Sequence, residues 1–522
     1  MSEMHWSRWG DPNEAGPLPD KARELVDAFV GTSDTPAVDP EDVRLSEELS
    51  WDLVAELGSL IGPQNVLTDR ETRLHRTRGK STPDLLRLRS GDGTDSPDAV
   101  VRPESHEQVV EIIEWCERRN VALVPFGGGT SVVGGLTPER KGFAGVISLD
   151  LVRMNKVVEV DHESMTAVLE PGLRGPHAEA LLSREGVTIG HFPQSFEYAT
   201  VGGFAVTRSS GQSSAGYGRF DQLVVGLTVA TPRGTLELGS SPANAAGPDL
   251  RELVMGSEGT FGVVTAVKLR VRPVPDVKRY EAWQFGSFAD GADAMRTLAQ
   301  SGVLPTVLRL SDESETAINL ADPDKVGGAA AGGCLMVVGY EGTKEAVEAR
   351  RAAATAVLSS AGGSELGEEL GRAWSEGRFH GPYLRDSLLD VGVLVETLET
   401  VTFWSNLANV YEKVSQALKD SLGEATLVLC HISHVYETGA SLYFTVATKQ
   451  ADDPVAQWLA AKASASDAMV QAGASITHHH AVGRDHRKWL AEEIGPVGVE
   501  ILRAVKERLD PKGILNPGVL IP

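Results

Sequence analysis

The chain has 522 residues, a net charge of −23 and a pI near 5.0, with 41% hydrophobic and 23% charged residues. That length calls for two or more domains, and the acidic balance repels polyanions, so no nucleic-acid partner is expected. No apolar run reaches the roughly 20 residues of a membrane helix, Met1–Trp6 lacks a basic-then-apolar secretory pattern, and Cys116, Cys334 and Cys430 form no CxxC pair, so they are read as buried thiols of a cytoplasmic protein.

Residues 1–96 read as an N-terminal extension. Its first fifty residues are polar and broken by Pro12, Pro17, Pro19, Pro36 and Pro40, which predicts a surface wrap with partial disorder. Residues 50–95 look helical. From Ala99 the pattern turns α/β, defining a domain over 97–275. A short strand over 99–103 precedes a helix headed by Ser105 and Gln108 as a capping box, with Val109, Ile112, Ile113 and Cys116 as its apolar stripe. Strands follow over 121–125, 145–149 and 166–170, then a helix over 176–186 with proline at its start and glycine at its end. Residues 263–272 alternate apolar and basic side chains, as a half-exposed strand does.

Residues 276–480 change character. Strands predicted over 281–285, 334–340, 425–432 and 440–448 are interleaved with helices over 289–300, 344–360, 406–421 and 454–473. This is the pattern of an α+β domain on an antiparallel sheet. Residues 481–522 form a helical C-terminal segment, helical from 484 to 509 and ending in Leu515-Asn516-Pro517-Gly518.

The 55 glycines gather between 127 and 262 and again around 326–333. In the first group, Phe126-Gly127-Gly128-Gly129-Thr130-Ser131 leaves a strand with three residues that let the backbone approach a ligand closely, and its successive N–H groups suit a pyrophosphate. It is neither a Walker A loop nor a GxGxxG helix opening. Three further loops of small and hydroxyl residues follow, at 193–203, 207–211 and 255–262. Four such loops in one α/β region point to an extended ligand with phosphates, a ribose and a planar ring.

In order and spacing, these loops resemble the FAD-binding domain of the vanillyl-alcohol-oxidase, or PCMH-type, flavoproteins. The resemblance implies a PCMH-type domain of two α/β subdomains with an α+β cap domain. It implies non-covalent FAD clasped by Pro125, Phe126, Gly127, Gly128, Gly129, Thr130 and Ser131; by Pro193, Gln194, Ser195, Phe196, Glu197, Tyr198 and Ala199; by Thr207, Arg208, Ser209 and Ser210; and by Glu258, Gly259, Thr260, Phe261, Gly262, Val263 and Val264.

From about residue 75 onward the chain also resembles the alkyldihydroxyacetonephosphate synthase family. The resemblance rests on Val307-Leu308-Arg309-Leu310-Ser311-Asp312, Tyr383-Leu384-Arg385-Asp386, Ser441-Leu442-Tyr443-Phe444 and His478-His479-His480-Ala481-Val482-Gly483. It implies Tyr443 as proton donor and acceptor, Arg385 as a substrate ligand, and Arg309, His478, His479 and His480 as residues needed for activity. The implied reaction replaces the acyl group of an acyl-dihydroxyacetone phosphate by a fatty alcohol, with FAD as a scaffold and no net electron movement. A homodimer and a transient membrane-surface encounter are implied too. Two departures stand out. His431 occupies a place where the family pattern leads one to expect arginine, and Leu515-Asn516-Pro517-Gly518 resembles the ending of 2-hydroxy-acid oxidases and dehydrogenases. The alternative expectation is therefore FAD-linked oxidation of a glycolate- or D-lactate-type substrate or another alcohol.

The histidine triplet itself admits a metal site, proton machinery or an anion site. On a strand, neighbouring residues point to opposite faces, so only His478 and His480 could share a ligand. With no HExxH and no carboxylate at metal spacing, no metal is expected.

Overall fold

The computed structural model describes residues 3–11, 13–14, 18, 20–318 and 332–522. Most of the second glycine cluster lies outside them.

Three sheets organise the chain. The first runs Val66–Leu67, Ala99–Val101, Gly145–Asp150, Val121–Phe126, its last three strands parallel. These strands are buried on both faces, which is why they read as unbroken apolar runs. The predicted helix is His106–Arg119, and its four stripe residues are fully buried. Its capping box is shifted by one residue. Ser105 Oγ accepts from the Gln108 N–H, but Gln108 Oε1 accepts from the Glu104 N–H at 2.9 Å, not from that of Ser105. The second sheet, Gly234–Leu238, Val224–Thr231, Val263–Arg270, Thr166–Leu169, Val157–Asp161, is antiparallel throughout.

The third sheet has seven antiparallel strands in the order Ser364–Gly367, Val277–Phe285, Cys334–Gly342, Val307–Ser311, Leu427–Ile432, Gly439–Lys449, Val393–Phe403. The eleven-residue Val393–Phe403 strand is absent from the predicted set. Helices Phe288–Gln300, Lys344–Ser360, Leu407–Leu422 and Pro454–Gln471 cover one face. They build the largest core with Leu308, Leu310, Cys430, Ile432, Leu442 and Phe444. Because strand side chains alternate, the intervening Arg309, His431, Tyr443, Thr445 and Ala447 fall on the other face.

The N-terminal extension is anchored more firmly than its composition predicts. Met4, Trp6 and Trp9 are buried, Lys80 Nζ donates to the His5 carbonyl at 2.6 Å, and the Trp9 N–H donates to Asp386 Oδ2. Helix Asp20–Phe29 and the residues after it lay Val26 and Val30 against Val391, Val393 and Val395 of the cap.

The C-terminal helix is Arg487–Leu509, starting three residues later than predicted and interrupted at Gly495 (φ 69°), with Pro496 following. The chain then returns to the first sheet. Leu123 N–H donates to Ile514 O and Asn516 N–H to Leu123 O, both at 2.8 Å, while Asn516 Nδ2 donates to the carbonyls of Gly135 and Glu258 at 3.0 and 2.7 Å. Leu515-Asn516-Pro517-Gly518 is thus a structural seal on the glycine loops. Asn516→Ala leaves two buried carbonyls without their donor and is expected to cost about 1–3 kcal/mol. Thermal unfolding measures this, and an unchanged midpoint contradicts it.

Candidate active site

A cavity of about 670 Å³ runs from the glycine loops to the face of the cap sheet opposite its helices. Its floor is built by two loops in contact. A Cβ on Gly128 would stand 2.0 Å from the Tyr198 carbonyl oxygen, and one on Gly127 2.3 Å from Thr200 Oγ1. Gly129 adopts φ +70° under the Phe126 ring, a conformation few side-chain-bearing residues take. Side chains larger than glycine here would part the loops.

Most of the loop residues expected at the cofactor line this cavity: 125–131, 193–195, Ala199, Thr207, Ser209, Ser210, Glu258, Gly259 and 262–264. Gln212 also lines it, and its buried Oε1 has no partner among the described residues, as suits a ligand-facing amide. Six expected residues lie off it and serve the scaffold. Phe196 stacks with Phe379 and packs on Gly175; Tyr198 meets Trp9 edge-on; Glu197 lies between them in the chain, and its buried Oε2 has no hydrogen-bond partner among the described residues. Arg208 clamps Met255 O, Asp221 and Glu252, Thr260 O accepts from Lys506 Nζ, and Phe261 is core with Val482, Val519 and Leu520. Spacing alone does not separate a loop's ligand face from its packing face.

At the cap end the cavity reaches Arg309, His431, His434, Tyr443, His479 and His480. His431, Tyr443 and Glu399 are cross-strand neighbours in one row, with Ser311 beyond His431. The Tyr443 hydroxyl donates to Thr397 Oγ1 at 3.0 Å, and its ring stacks on His431 with centroids 4.8 Å apart. Burial pushes the Tyr443 phenol up to about 12, so it stays protonated near neutrality.

The histidine triplet is not on a strand. It winds around the buried Glu399 carboxylate, which accepts from the Thr477 hydroxyl and from three successive backbone N–H groups, those of His478, His479 and His480, at 2.6–3.1 Å. Burial raises the Glu399 carboxyl, but the adjacent His479 and His480 rings, and after them the hydroxyl and N–H donors, prevail and lower it to about 2. Consequently the pairing expected from strand geometry fails. His478 turns away from the cavity, placing Nε2 2.5 Å from the Tyr436 hydroxyl and Nδ1 2.9 Å from His479 Nδ1. One nitrogen each of His434, His478 and His479 lies within 4.8 Å of the others, so the strand argument against a metal no longer applies. His434 Nδ1 is already engaged by Ser210 and Ser214 at 3.0 and 2.8 Å. Burial keeps all three imidazoles, and His480, below the usual range and neutral at pH 7.

Both arginines hold a carboxylate. Arg309 pairs with Glu315, and Arg385 pairs with Asp386 at 2.9 Å while donating to the Lys80 carbonyl at 2.6 Å. Burial lowers the Lys80 ammonium, which also lines the cavity, to about 7. Glu258, expected at the cofactor, accepts from the Val482 and Gly483 N–H groups, and burial pushes its carboxyl up to about 7. Glu315, Glu399, His434 and Lys80 carry no local motif; each has a partner far along the chain, namely His431, His478, Ser210 and His5.

Two outcomes follow. Gly128→Ala is expected to yield protein that retains its circular dichroism but little flavin, and full flavin occupancy contradicts the loop contact. Glu399→Ala strips four buried or part-buried donors of their acceptor, for an expected loss of about 3–5 kcal/mol in denaturant unfolding; a loss under about 1 kcal/mol contradicts the clamp.

The chain matches two family models, an FAD binding domain over residues 97–239 and the C-terminal domain of FAD linked oxidases over 274–520. The cofactor of this chain is therefore FAD. The chain is 34% identical to the alkyldihydroxyacetonephosphate synthase of Dictyostelium discoideum, over 94% of this chain and 84% of that one. It is 35% identical to the synthase of Trypanosoma brucei brucei, over 90% of this chain and 80% of that one. A solved structure of an alkyldihydroxyacetonephosphate synthase superposes with a TM-score of 0.84 at 31% identity, covering 99% of each chain. These matches place the chain in the alkyldihydroxyacetonephosphate synthase family of FAD-dependent enzymes.

Proposed function

We propose that the protein exchanges the acyl group of an acyl-dihydroxyacetone phosphate for a fatty alcohol without net redox. The observation that carries this is a polarity gradient along the cap sheet. One row across three strands is His431, Tyr443 and Glu399; the next on that face is Leu429, Thr445 and Thr397; the next is Leu427, Ala447 and Val395. Four residues separate Tyr443 from Ala447, roughly 14 Å of strand. Leu18, Val26, Val30, Leu384 and Leu388 cover the apolar end. A cavity that is ionic at the flavin and apolar beyond it fits a phosphorylated ketone with a fatty tail. A small hydroxy acid would leave the apolar end unused. The Leu515-Asn516-Pro517-Gly518 ending no longer favours the oxidase alternative, because its contacts explain it structurally.

Lys80, Arg309 and Arg385 supply the cationic groups a phosphate needs. Bound FAD supplies the planar scaffold beside which the acyloxy carbon exchanges its substituent. The protein's own work is to fix that carbon, exclude water and move a proton, with Tyr443 as donor. Three buried, unpaired cysteines suit a reducing cytoplasm, and fatty substrates imply loading at a membrane surface. A homodimer belongs to the same reading.

The test supplies palmitoyl-dihydroxyacetone phosphate and alcohols of graded length. Fatty acid release is expected to match ether formation. Shortening the alcohol by two methylenes is expected to lower kcat/KM roughly tenfold, at about 0.8 kcal/mol per buried methylene. No fatty acid release, or indifference to chain length, contradicts the proposal. Arg309→Ala is expected to lose turnover with FAD retained, and loss of FAD contradicts its place at the substrate end.

A further inference from the structure

The proposed exchange requires a proton to leave the substrate carbon that bears the acyloxy group, and Tyr443 is poorly suited to take it. Its hydroxyl is held protonated by burial and donates to Thr397. Another cavity residue has the geometry of a base. His431 Nδ1 stands 3.0 Å from Glu315 Oε2. Glu315 is buried, and its other oxygen accepts from Arg309 and from Ser311 Oγ. Burial raises the Glu315 carboxyl, but the His431 ring and then the Arg309 guanidinium beside it prevail and hold it ionised. The same Nδ1 also stands 3.0 Å from Arg309 Nη2, a donor; with the ionised Glu315 carboxylate accepting there, the ring carries its hydrogen on Nδ1 and leaves the lone pair on Nε2. That second nitrogen has no protein partner among the described residues, and His431 lines the cavity. Burial, with Arg309 beside it, keeps the ring neutral against the pull of Glu315.

The other cavity histidines lack this arrangement. His434 Nδ1 faces two serines, and the nearest contacts of His479 and His480 with Glu399 are 3.6 and 3.8 Å, beyond hydrogen-bond reach. Among the described cavity histidines, only His431 has a ring nitrogen hydrogen-bonded to a carboxylate.

We propose that His431, oriented by Glu315, is the proton acceptor of this site and that Tyr443, stacked against it, is the donor. This rests on the alkyl-exchange reading. In the step, the C–H bond beside the ketone breaks, its electron pair moves onto the ketone oxygen, and the proton forms a bond to His431 Nε2. The imidazolium is stabilised by Glu315, and the enolate by the Tyr443 hydroxyl or Arg309. Reversal returns the proton, so no oxidant or reductant is consumed. Two titratable groups whose surroundings drive them in opposite directions divide the acid and base roles.

The experiment follows exchange of that hydrogen with solvent deuterium by NMR, using the full-length FAD-loaded enzyme and palmitoyl-dihydroxyacetone phosphate. His431→Asn keeps a donor toward Glu315 but has no Nε2. Its exchange rate is expected to fall at least about 100-fold, with flavin content and substrate Kd within roughly threefold of the parent, and added imidazole is expected to restore part of it. Glu315→Gln is expected to fall about tenfold, as the tautomer is released, and it serves as the second variant should His431→Asn fold poorly. Exchange in His431→Asn within threefold of the parent, or a loss explained by weaker substrate binding and not rescued by imidazole, overturns the proposal. If the parent itself neither exchanges this hydrogen nor releases fatty acid, the alkyl-exchange reading fails. Parent exchange that persists in His431→Asn removes the His431 assignment alone.

Discussion

What the cavity can do depends on which side of the seven-stranded sheet each side chain falls. Strand alternation sends Leu442, Phe444 and Cys430 into the helix-covered core and Tyr443 and His431 into the cavity. A one-residue slip would exchange these sets, putting a phenylalanine and a cysteine into the cavity. The antiparallel register, Glu399 opposite Tyr443 opposite His431, therefore sets the chemistry as well as the fold. The buried helix layer fixes that register, because a slip would also place Tyr443 and His431 in the largest apolar core.

Two buried glutamates transmit this order to the rest of the chain. Glu399 from the cap grips the backbone of the histidine triplet, and Glu258 from the FAD domain grips Val482 and Gly483 a few residues on. The segment between is held from both domains. Asn516 closes the other side by bonding the Glu258 carbonyl and Gly135. Carboxylates that accept several backbone N–H groups are low-entropy clamps, since they fix main chain without recruiting long side chains. The imidazoles thus keep their positions while remaining neutral.

Much of this is legible in the residues themselves. The Lys344–Ser360 helix has the predicted ends, and the stripe of His106–Arg119 is buried as its 3.6-residue period demands. The glycine run at 127–129 announces a close backbone approach, and the structure supplies the loop at 198–200 that it approaches. The missing parts have a common cause. Val393–Phe403 carries Glu396, Glu399 and several threonines, so its burial is masked by polar residues whose partners are distant in sequence. Glu315 lies 116 residues from His431, and Glu399 lies 79 from His478. The triplet reads as a strand locally and becomes a wound loop only because a carboxylate sits inside it. Phe196, Arg208 and Phe261 show the converse: residues within the loops expected at the cofactor that point into packing.

The central claim is that a flavoenzyme scaffold here performs an exchange with no net electron flow. Repeated turnover under strict anaerobiosis, with no electron acceptor present, tests this most directly. Ether product and released fatty acid are counted while the absorbance of the bound flavin is followed. The account predicts many equivalents of ether per enzyme, one fatty acid for each, and a flavin that is oxidised when substrate is exhausted. Turnover that stops after one equivalent with the flavin left reduced would contradict it.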